Sequence, residues 1–326
     1  MYDVVDLGEL LIDFTSNGLS GQGNPLFEAN PGGAPCNVLA MLARLGKKTA
    51  FIGKVGQDMF GSILRDAIAG AGIDDSGLVT DPQTNTTLAF VHNKPDGDRD
   101  FSFFRGADTR LRPEETAEKI VSNCRIFHFG TLSLTNEPAS SATKQAIKLA
   151  KQSSAMISFD PNLRPPLWDD LERAKEAIRW GCAECDILKI AEEELAFLYG
   201  NETIADGAAR LRSDFPNIRI VFATKGKNGS ECFWRDIHAA APSFPEVKTI
   251  DTTGAGDTFF GCCLADILEL GLNDFDENVL EKILLFANAA ASLVTTRKGA
   301  LRVMPERGEI LTLAASKPVL NNKYVS

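Results

Sequence analysis

Residues 251–261 read Asp-Thr-Thr-Gly-Ala-Gly-Asp-Thr-Phe-Phe-Gly and lead directly into the apolar, helix-periodic segment 259–270. Glycines at the start of a helix leave backbone N–H groups pointing at one spot, where the positive end of the helix dipole adds to them, so an anion fits there. Asp257 lies in the first turn, where its carboxylate can accept a proton from an attacking hydroxyl. The stretch predicts an anion hole at Gly254, Ala255 and Gly256 with Asp257 as general base.

The glycines alone are also compatible with an ordinary turn capped by an aspartate. Two common nucleotide motifs do not fit, because GAGDTF lacks the third glycine of GxGxxG and nothing in the chain resembles GxxxxGK[ST]. Further observations must therefore decide between a phosphate site and a plain turn.

Apolar, strand-like runs alternate with helical patterns through most of the chain: 49–55 then 60–71, 126–134 then 139–151, 156–160 then 171–180, 187–190 then 192–199, and 218–224. This alternation predicts an α/β fold, a mainly parallel central sheet with helices on both faces. Two stretches, 10–30 and 86–104, carry strand patterns without helices, the second with the turn-rich residues 94–98 of a hairpin. They predict a small β-sheet lid from about 11–30 and 84–106, within a single domain of residues 1–326.

The composition of the 326-residue chain excludes several classes of protein. The 44 acidic residues exceed the 34 basic ones, and a formal charge of -10 argues against general attraction to nucleic acid or membrane. Because the start lacks a basic stretch before an apolar run, and no long uncharged apolar run follows, we expect a cytoplasmic protein. Cys182 and Cys185 form a lone CxxC without a second pair, so we expect reduced, buried thiols throughout.

A second motif agrees with the first. Residues 30–40 read Asn-Pro-Gly-Gly-Ala-Pro-Cys-Asn-Val-Leu-Ala, and residues 51–58 read Phe-Ile-Gly-Lys-Val-Gly-Gln-Asp. Together with 251–261, more than 200 residues further on, they resemble the two signatures of the ribokinase-like (PfkB) carbohydrate kinases. The resemblance runs from about Asp6 to about Pro305, and it implies a ribokinase-like fold and ATP-dependent transfer of phosphate to a sugar.

Within that family, residues 8–14 and 158–168 are most similar to fructokinases. The resemblance implies that Asp13, Gly33, Asn37 and Arg164 contact the sugar together with Asp257. We expect Asp13 and Arg164 to follow the strands that begin near Val4 and at Met156, and so to project over one sheet edge.

Arg105 follows the alternating residues 101–104 and is similar to an arginine that reaches the acceptor in fructokinases and ketodeoxygluconate kinases. An exposed charge at the edge of the lid is the alternative interpretation.

On the nucleotide side, Thr224-Lys225-Gly226-Lys227-Asn228-Gly229 resembles the family's TxGxxG turn under ATP, which implies contacts from Thr224, Gly226 and Gly229. A glycine-rich hairpin turn is the alternative. Asn288, in the helical stretch 278–296, matches the family's nucleotide-side asparagine.

The resemblance also implies cation sites. Glu194 matches the acidic member of the NxxE element and implies Mg²⁺ held through water, with Lys189 as a phosphate contact. The sequence departs here, because Ala191 occupies the asparagine's position. Asp251 and the carbonyl of Thr253, with the loop 298–300, imply a monovalent cation site for an ion such as K⁺.

The sequence thus predicts an ATP-dependent kinase that converts D-fructose into fructose 6-phosphate, with a small-molecule sugar and ATP as its partners. A 2-keto-3-deoxygluconate kinase and then a ribokinase are the alternatives. The intact GAGD argues against a catalytically inactive sugar-binding regulator on the same fold. The oligomeric state stays open, with a homodimer among the options.

Overall fold

The computed structural model describes residues 1–93, 99–200 and 203–317, and within them strands and helices alternate through most of the chain. The strands are Tyr2–Leu7 (β1), Leu11–Leu19 (β2), Pro25–Gly32 (β3), Thr49–Gly56 (β4), Asp74–Asp81 (β5), Leu88–Asn93 (β6), Arg99–Phe104 (β7), Cys124–Gly130 (β8), Met156–Asp160 (β9), Ile187–Ala191 (β10), Ile220–Thr224 (β11), Ser230–Trp234 (β12) and Ile237–Ala241 (β13). The helices are Ala34–Arg44 (α1), Met59–Gly70 (α2), Glu118–Val121 (α3), Ala139–Gln152 (α4), Leu171–Glu184 (α5), Glu192–Tyr199 (α6), Ile204–Asp214 (α7), Ala255–Leu270 (α8), Glu277–Val294 (α9) and Arg307–Ala314 (α10).

Nine strands form the main sheet in the order β13-β12-β11-β10-β9-β8-β1-β4-β5. The seven from β11 to β5 pair in parallel, whereas β12 pairs antiparallel with both neighbours at one edge. Parallel strands bring the loops at their carboxyl ends to one edge of a sheet, which is where ligands of open α/β folds bind. The predicted α/β class is confirmed.

Alternate residues of the central strands enter two separate hydrophobic cores, because successive side chains of a strand point to opposite faces. Val4, Ile126, Ile187 and Ile220 pack against α1, α2, α8, α9 and α10. Their chain neighbours Val5, Phe127, Leu188 and Val221 pack against α3 to α7 on the other face. Helices therefore cover both faces, as the alternating pattern predicts.

The small second sheet has the order β3-β2-β6-β7. Its strands lie close to the ranges predicted for the lid, and β6 pairs antiparallel with β7 as a hairpin requires. The predicted turn at 94–98 lies outside the described residues, as do the side chains of 92–101. Phe14 stacks on Phe90 with ring centroids 4.8 Å apart, and it meets Phe60 of α2 edge-on at 5.7 Å. These contacts join the small sheet to the main body.

The expected position of Asp13 was wrong in one respect. The strand from Val4 ends at Leu7, and Asp13 lies inside β2, where it pairs with Asn30 of β3 and Ala89 of β6. Gly8 and Glu9 interrupt the extended segment, so the chain leaves the main sheet before it enters the small one. Asp13 therefore belongs to the small sheet, whereas Arg164 follows β9 of the main sheet.

The cysteines are buried and free, as the sequence predicts. Cys36, Cys232, Cys262 and Cys263 lie in the core packed by α8, and Cys124, Cys182 and Cys185 lie in the opposite core. Burial raises the pKa of the Cys182 thiol to about 12. In the part of the chain that the structure describes, no cluster of His, Cys, Asp or Glu is arranged to hold a metal ion. Nor does any described helix combine the length and apolarity of a membrane span.

Candidate active site

The start of α8 lies at the carboxyl edge of the main sheet. Gly254 precedes the helix with a φ of 75° and accepts a hydrogen bond from the Thr258 N–H at 2.8 Å. A side chain at Gly254 would be strained by this φ and would overlap the Ala300 methyl group, so only glycine fits. The Ala255 N–H donates to the Thr252 carbonyl at 3.3 Å, whereas the N–H groups of Gly256 and Asp257 have no intrahelical carbonyl to bond in this first turn and are available to an anion.

Asp257 is a buried residue of that first turn, and Asn37 of α1 orients its carboxylate. The Asn37 Nδ2 donates a hydrogen bond of 2.8 Å to Asp257 Oδ2. Among the described residues the buried Oδ1 of Asn37 has no donor, so a ligand hydroxyl could satisfy it. Burial, helped by Asp160, raises the pKa of Asp257 to about 6, against the opposing effects of Asn37, Lys189 and Arg164.

Asp13 of β2 faces the same region. Burial raises its pKa to about 7, with Asp251 and Asp257 adding to the rise and Arg164 opposing it. A Cβ atom at Gly32 of β3 would overlap Asp13 Oδ2, so the absence of a side chain at Gly32 makes room for the carboxylate. Arg164, Asp251 and Asp257 are thus near enough to Asp13 to affect its pKa, so residues of the small sheet and of the main sheet share one polar region.

Arg105 and Glu9 lie at the margin of this cleft. The Arg105 guanidinium contacts Asp108 Oδ2 at 2.6 Å, and its Nη1 donates to Thr135 Oγ1 at 3.2 Å. Glu9 Oε1 accepts the Ala34 N–H at 3.0 Å, next to Gly33 at the start of α1. Arg105 is therefore an ion-paired, mostly buried side chain rather than an exposed charge. Burial raises the pKa of Glu9 to about 7, and the positive charge of Arg105 opposes this rise.

A cavity of about 290 Å³ lies on the other side of the α8 start. It collects the predicted nucleotide residues Thr224, Gly226, Gly229 and Asn288, and it is also lined by Ala255 and Gly256 of the predicted anion hole. The loop 243–245 after β13 also lines it, as do Ala291 and Ser292 of α9 and Thr295 just beyond the helix. The predicted turn and the predicted anion hole thus open into one space.

Asn288 is buried and fully engaged rather than solvated. Its Oδ1 accepts the Ser230 hydroxyl at 3.0 Å, and its Nδ2 lies 3.2 Å from the carbonyl oxygens of Ala241 and Pro242. Asn288 therefore fixes the chain after β13 against α9, which shapes the wall of the nucleotide cavity.

A buried ion pair lies beside the predicted anion hole. Lys189 Nζ is 3.0 Å from Asp160 at the end of β9. Burial favours a lower pKa for Lys189, but the charges of Asp160 and Glu194 outweigh it and leave the pKa raised. A Cβ atom on Gly256 would come within 3.4 Å of Lys189 Nζ, so this cation lies directly against the start of α8.

Glu194 is held by backbone amides. Its Oε1 accepts the Leu163 N–H and its Oε2 accepts the Ala191 N–H, both at 2.8 Å. The residue thereby ties the loop after β9 to the start of α6, at the position where Ala191 replaces the family's asparagine.

The residues implied for a monovalent cation come together. Asp251 Oδ1 accepts the Thr253 N–H at 2.9 Å and its hydroxyl at 2.7 Å, while Oδ2 accepts the Gly299 N–H at 3.1 Å. The loop 298–300 is thus fastened beside the start of α8.

Sequence reasoning missed Glu9, Gly32 and Asp160, as well as the loop 243–245 that lines the nucleotide cavity. Asp160 ends a strand of the main sheet and Glu9 lies two residues beyond β1, so the rule that ligands bind at carboxyl ends could have found both. Gly32 carries no such signal, because its importance depends on its pairing with β2.

Comparisons with known proteins agree with this geometry. The model of the pfkB family carbohydrate kinases matches residues 1–307. The chain is 41% identical over 313 residues to probable fructokinase-2 of Arabidopsis thaliana, covering 95% of this chain and 94% of that protein. The structure of fructokinase with bound ATP from Xylella fastidiosa superposes with a TM-score of 0.87 at 32% identity, covering 97% and 99% of the two chains. A fructokinase double mutant from Vibrio cholerae O395, in fructose, ADP and potassium ion bound form, gives 0.83 at 28% identity, covering 96% and 98%.

The ribokinase-like fold, the family match and the fructokinase relatives together define an ATP-dependent carbohydrate kinase. The chain belongs to the pfkB family of carbohydrate kinases, and its relatives include fructokinases at about 40% identity.

Proposed function

We propose that this enzyme phosphorylates D-fructose on its primary 6-hydroxyl, giving fructose 6-phosphate and ADP, with Asp257 as general base. One observation carries the proposal: Asp257 binds Asn37 in the polar cleft, while Ala255 and Gly256 of the same turn line the nucleotide cavity. A base between an acceptor and a phosphate donor is what phosphoryl transfer to an alcohol requires.

In this proposal the sugar binds through Asp13, Gly33, Asn37 and Arg164, which supply acceptors and donors for several hydroxyl groups. The 6-hydroxyl oxygen forms a bond to the γ-phosphorus of ATP as its proton passes to Asp257. The bond between the γ-phosphorus and the β,γ-bridging oxygen breaks, and ADP leaves. Much of the rate should come from positioning, because the transition state of such reactions is thought to be loose.

The N–H groups of Gly254 to Asp257 form the proposed anion hole for the transferred group. Lys189 supports this role, because its ammonium lies against Gly256 and keeps a raised pKa. Thr224, Gly226 and Gly229 would hold the nucleotide, and Asn288 would act through the loop that it anchors.

The residues fit the two proposed cations. Mg²⁺ supplies charge neutralisation of the ATP phosphates, and Glu194 can hold one of its waters because each carboxylate oxygen keeps a lone pair after accepting one N–H. Ala191 cannot contribute the family's amide there. Asp251 and the Thr253 carbonyl would hold K⁺, and the hydrogen bond from the Gly299 N–H to Asp251 keeps the loop 298–300 beside them. A homodimer and a cytoplasmic location remain predictions from the sequence.

A neutral hexose suits the cleft better than a keto acid. The charge of Arg105 is already balanced by Asp108, and a second carboxylate would approach Asp13 and Asp257. We expect kcat/KM for fructose to exceed that for 2-keto-3-deoxygluconate at least about tenfold, or about 1.4 kcal/mol. Ribose should also rank below fructose, since a missing hydroxymethyl leaves a polar partner unpaired.

An ADP-release assay with fructose, ketodeoxygluconate and ribose measures this ranking. A higher kcat/KM for the keto acid would overturn the fructose assignment, and Arg105 with Arg164 would become a carboxylate clamp. The role of Asp257 would survive that result.

The pKa of Asp257 predicts how the activity falls at acidic pH. Only the ionised carboxylate can accept a proton, so activity should be present above a pKa of about 6 and lost as the pH falls through it. We expect log kcat/KM for the sugar, which reports the ionisations of the free enzyme, to rise with pH and level off above about 6. The residual rate of an Asp257→Asn variant should lack this inflection, whereas an Asp13→Asn variant should keep it. An inflection that persists without the Asp257 carboxyl would contradict the assignment.

A further inference from the structure

A second cavity, of about 300 Å³, lies between the start of α4 and the first turns of α5. Most of its lining residues are polar or aromatic, among them Thr135, Lys144, Trp168, Arg173, Glu176 and Trp180. None of its lining residues belongs to the nucleotide cavity or to the small cleft around Asp257. It is therefore a separate site, and the reaction proposed above does not use it.

The lining combines aromatic side chains with polar groups of both signs. Trp168 and Trp180 are half-buried, and Lys144 Nζ lies 5.6 Å from the Trp180 ring centroid. Such a surface fits a ring with apolar C–H faces and hydroxyl groups at its rim. The volume is at the lower end of that of small-molecule sites, so the ligand is small.

Charge balance distinguishes between possible small ligands. Lys144 and Arg173 bring two positive charges, and Glu137 and Glu176, which also line the cavity, bring two negative ones. A phosphorylated or carboxylated ligand would meet both glutamates at the cost of like-charge repulsion. A neutral polyhydroxyl compound avoids that cost and can use donors and acceptors together.

The cavity adjoins the acceptor cleft through two segments. Thr135 lines the cavity and accepts the hydrogen bond from Arg105 Nη1 at 3.2 Å. Trp168 directly follows the short turn Pro165–Leu167, which begins beside Arg164. A ligand in the cavity would therefore contact the segment that carries Arg164, a proposed sugar-binding residue, and the hydrogen-bond partner of Arg105.

We propose that this cavity is a second sugar site, which binds one neutral hexose per chain without phosphorylating it. The anion hole and Asp257 lie outside it, so a sugar bound there is not an acceptor. The use of fructose as a probe rests on the proposed function, whereas the preference for a neutral hexose rests on the cavity alone. Glucose therefore serves as a second, independent probe.

Equilibrium dialysis with radiolabelled fructose and glucose, without ATP, tests the proposal. We expect two fructose molecules per wild-type chain and one after Trp180→Ala. Asp13→Ala should also leave one fructose at concentrations too low to fill the weakened acceptor site, because the substitution spares the cavity. Glucose binding should survive Asp13→Ala and disappear in Trp180→Ala.

Two further variants keep the test decisive, because Trp180 also packs edge-on against Phe129 at 6.0 Å. Arg173 and Glu176 are exposed, and a double replacement by alanine should preserve the fold and weaken hexose binding in the cavity at least about tenfold. Arg179→Ala is the matched control, since this exposed residue of α5 pairs with Asp214 and does not line the cavity.

One fructose and no glucose per wild-type chain at concentrations up to about 50 mM would overturn the proposal. So would a second site that persists in both Trp180→Ala and the double variant. Failure of the proposed function is recognised separately, because it would appear as missing ADP release with fructose while glucose binding in the cavity persists.

Discussion

Replacement of Asp257 by Asn is expected to lower kcat at least about a hundredfold, with little change in the KM for ATP. Asn has nearly the same shape, and its amide oxygen can still accept the 2.8 Å hydrogen bond from Asn37. The change therefore removes the proton acceptor while it preserves the arrangement of the cleft and of the α8 start. Steady-state kinetics with saturating sugar and ATP measure the effect.

Asp266 provides a matched control on the same helix. Burial raises its pKa to about 6, as it does for Asp257, but Asp266 lines a groove between α8, α9 and α10. Asp266→Asn should leave kcat within about twofold, because it touches neither substrate. If Asp257→Asn retained more than a tenth of the wild-type turnover, Asp257 could not be the general base.

Asp13→Ala is expected to lower kcat/KM for fructose about 10- to 150-fold. Hydrogen bonds to a charged group contribute about 1.5–3 kcal/mol, which corresponds to that range. The KM for ATP should change little, since Asp13 does not line the nucleotide cavity. Kinetics with each substrate varied in turn separate the two effects.

A pair of glycine variants tests the same carboxylate without removing it. Gly32→Ala introduces a methyl group where Asp13 Oδ2 lies, so it should also raise the KM for fructose. Gly21→Ala is its control, because a Cβ atom there meets no atom within 4 Å. If both glycine variants showed the same fructose kinetics as the wild type, the Asp13 carboxylate would not be a sugar-binding group.

The main sheet could be predicted from sequence because its evidence is local. Each strand and the helix that follows it are adjacent in the chain, and motifs such as 224–229 directly follow a strand. The small sheet was harder, since β2 pairs with β3 and with the distant β6. The short interruption at Gly8 and Glu9 changes which sheet the chain joins, and hydrophobic periodicity does not show that change.

Contacts between distant residues explain the rest of what the sequence missed. The Lys189–Asp160 ion pair joins the middle of β10 to the end of β9, 29 residues earlier in the chain, and its chemistry depends on burial that neither segment reveals alone. Asn288 matched a family position, but its anchoring of Ala241 and Pro242 follows only from the packing of α9 against β13. In both cases the sequence indicated a functional residue but did not reveal which residue it contacts.

The buried cysteine thiols can serve as chemical probes of local opening in the folded protein. Four cysteines lie on one face of the main sheet and three on the other, and burial keeps them protonated and unreactive. A thiol reagent can reach each cysteine only when the helices on that face of the sheet open locally. The rate of alkylation in the folded state therefore measures the rate or extent of that opening. Mass spectrometry of the labelled positions would time the two faces independently, and it would reveal whether a bound nucleotide slows one face or both.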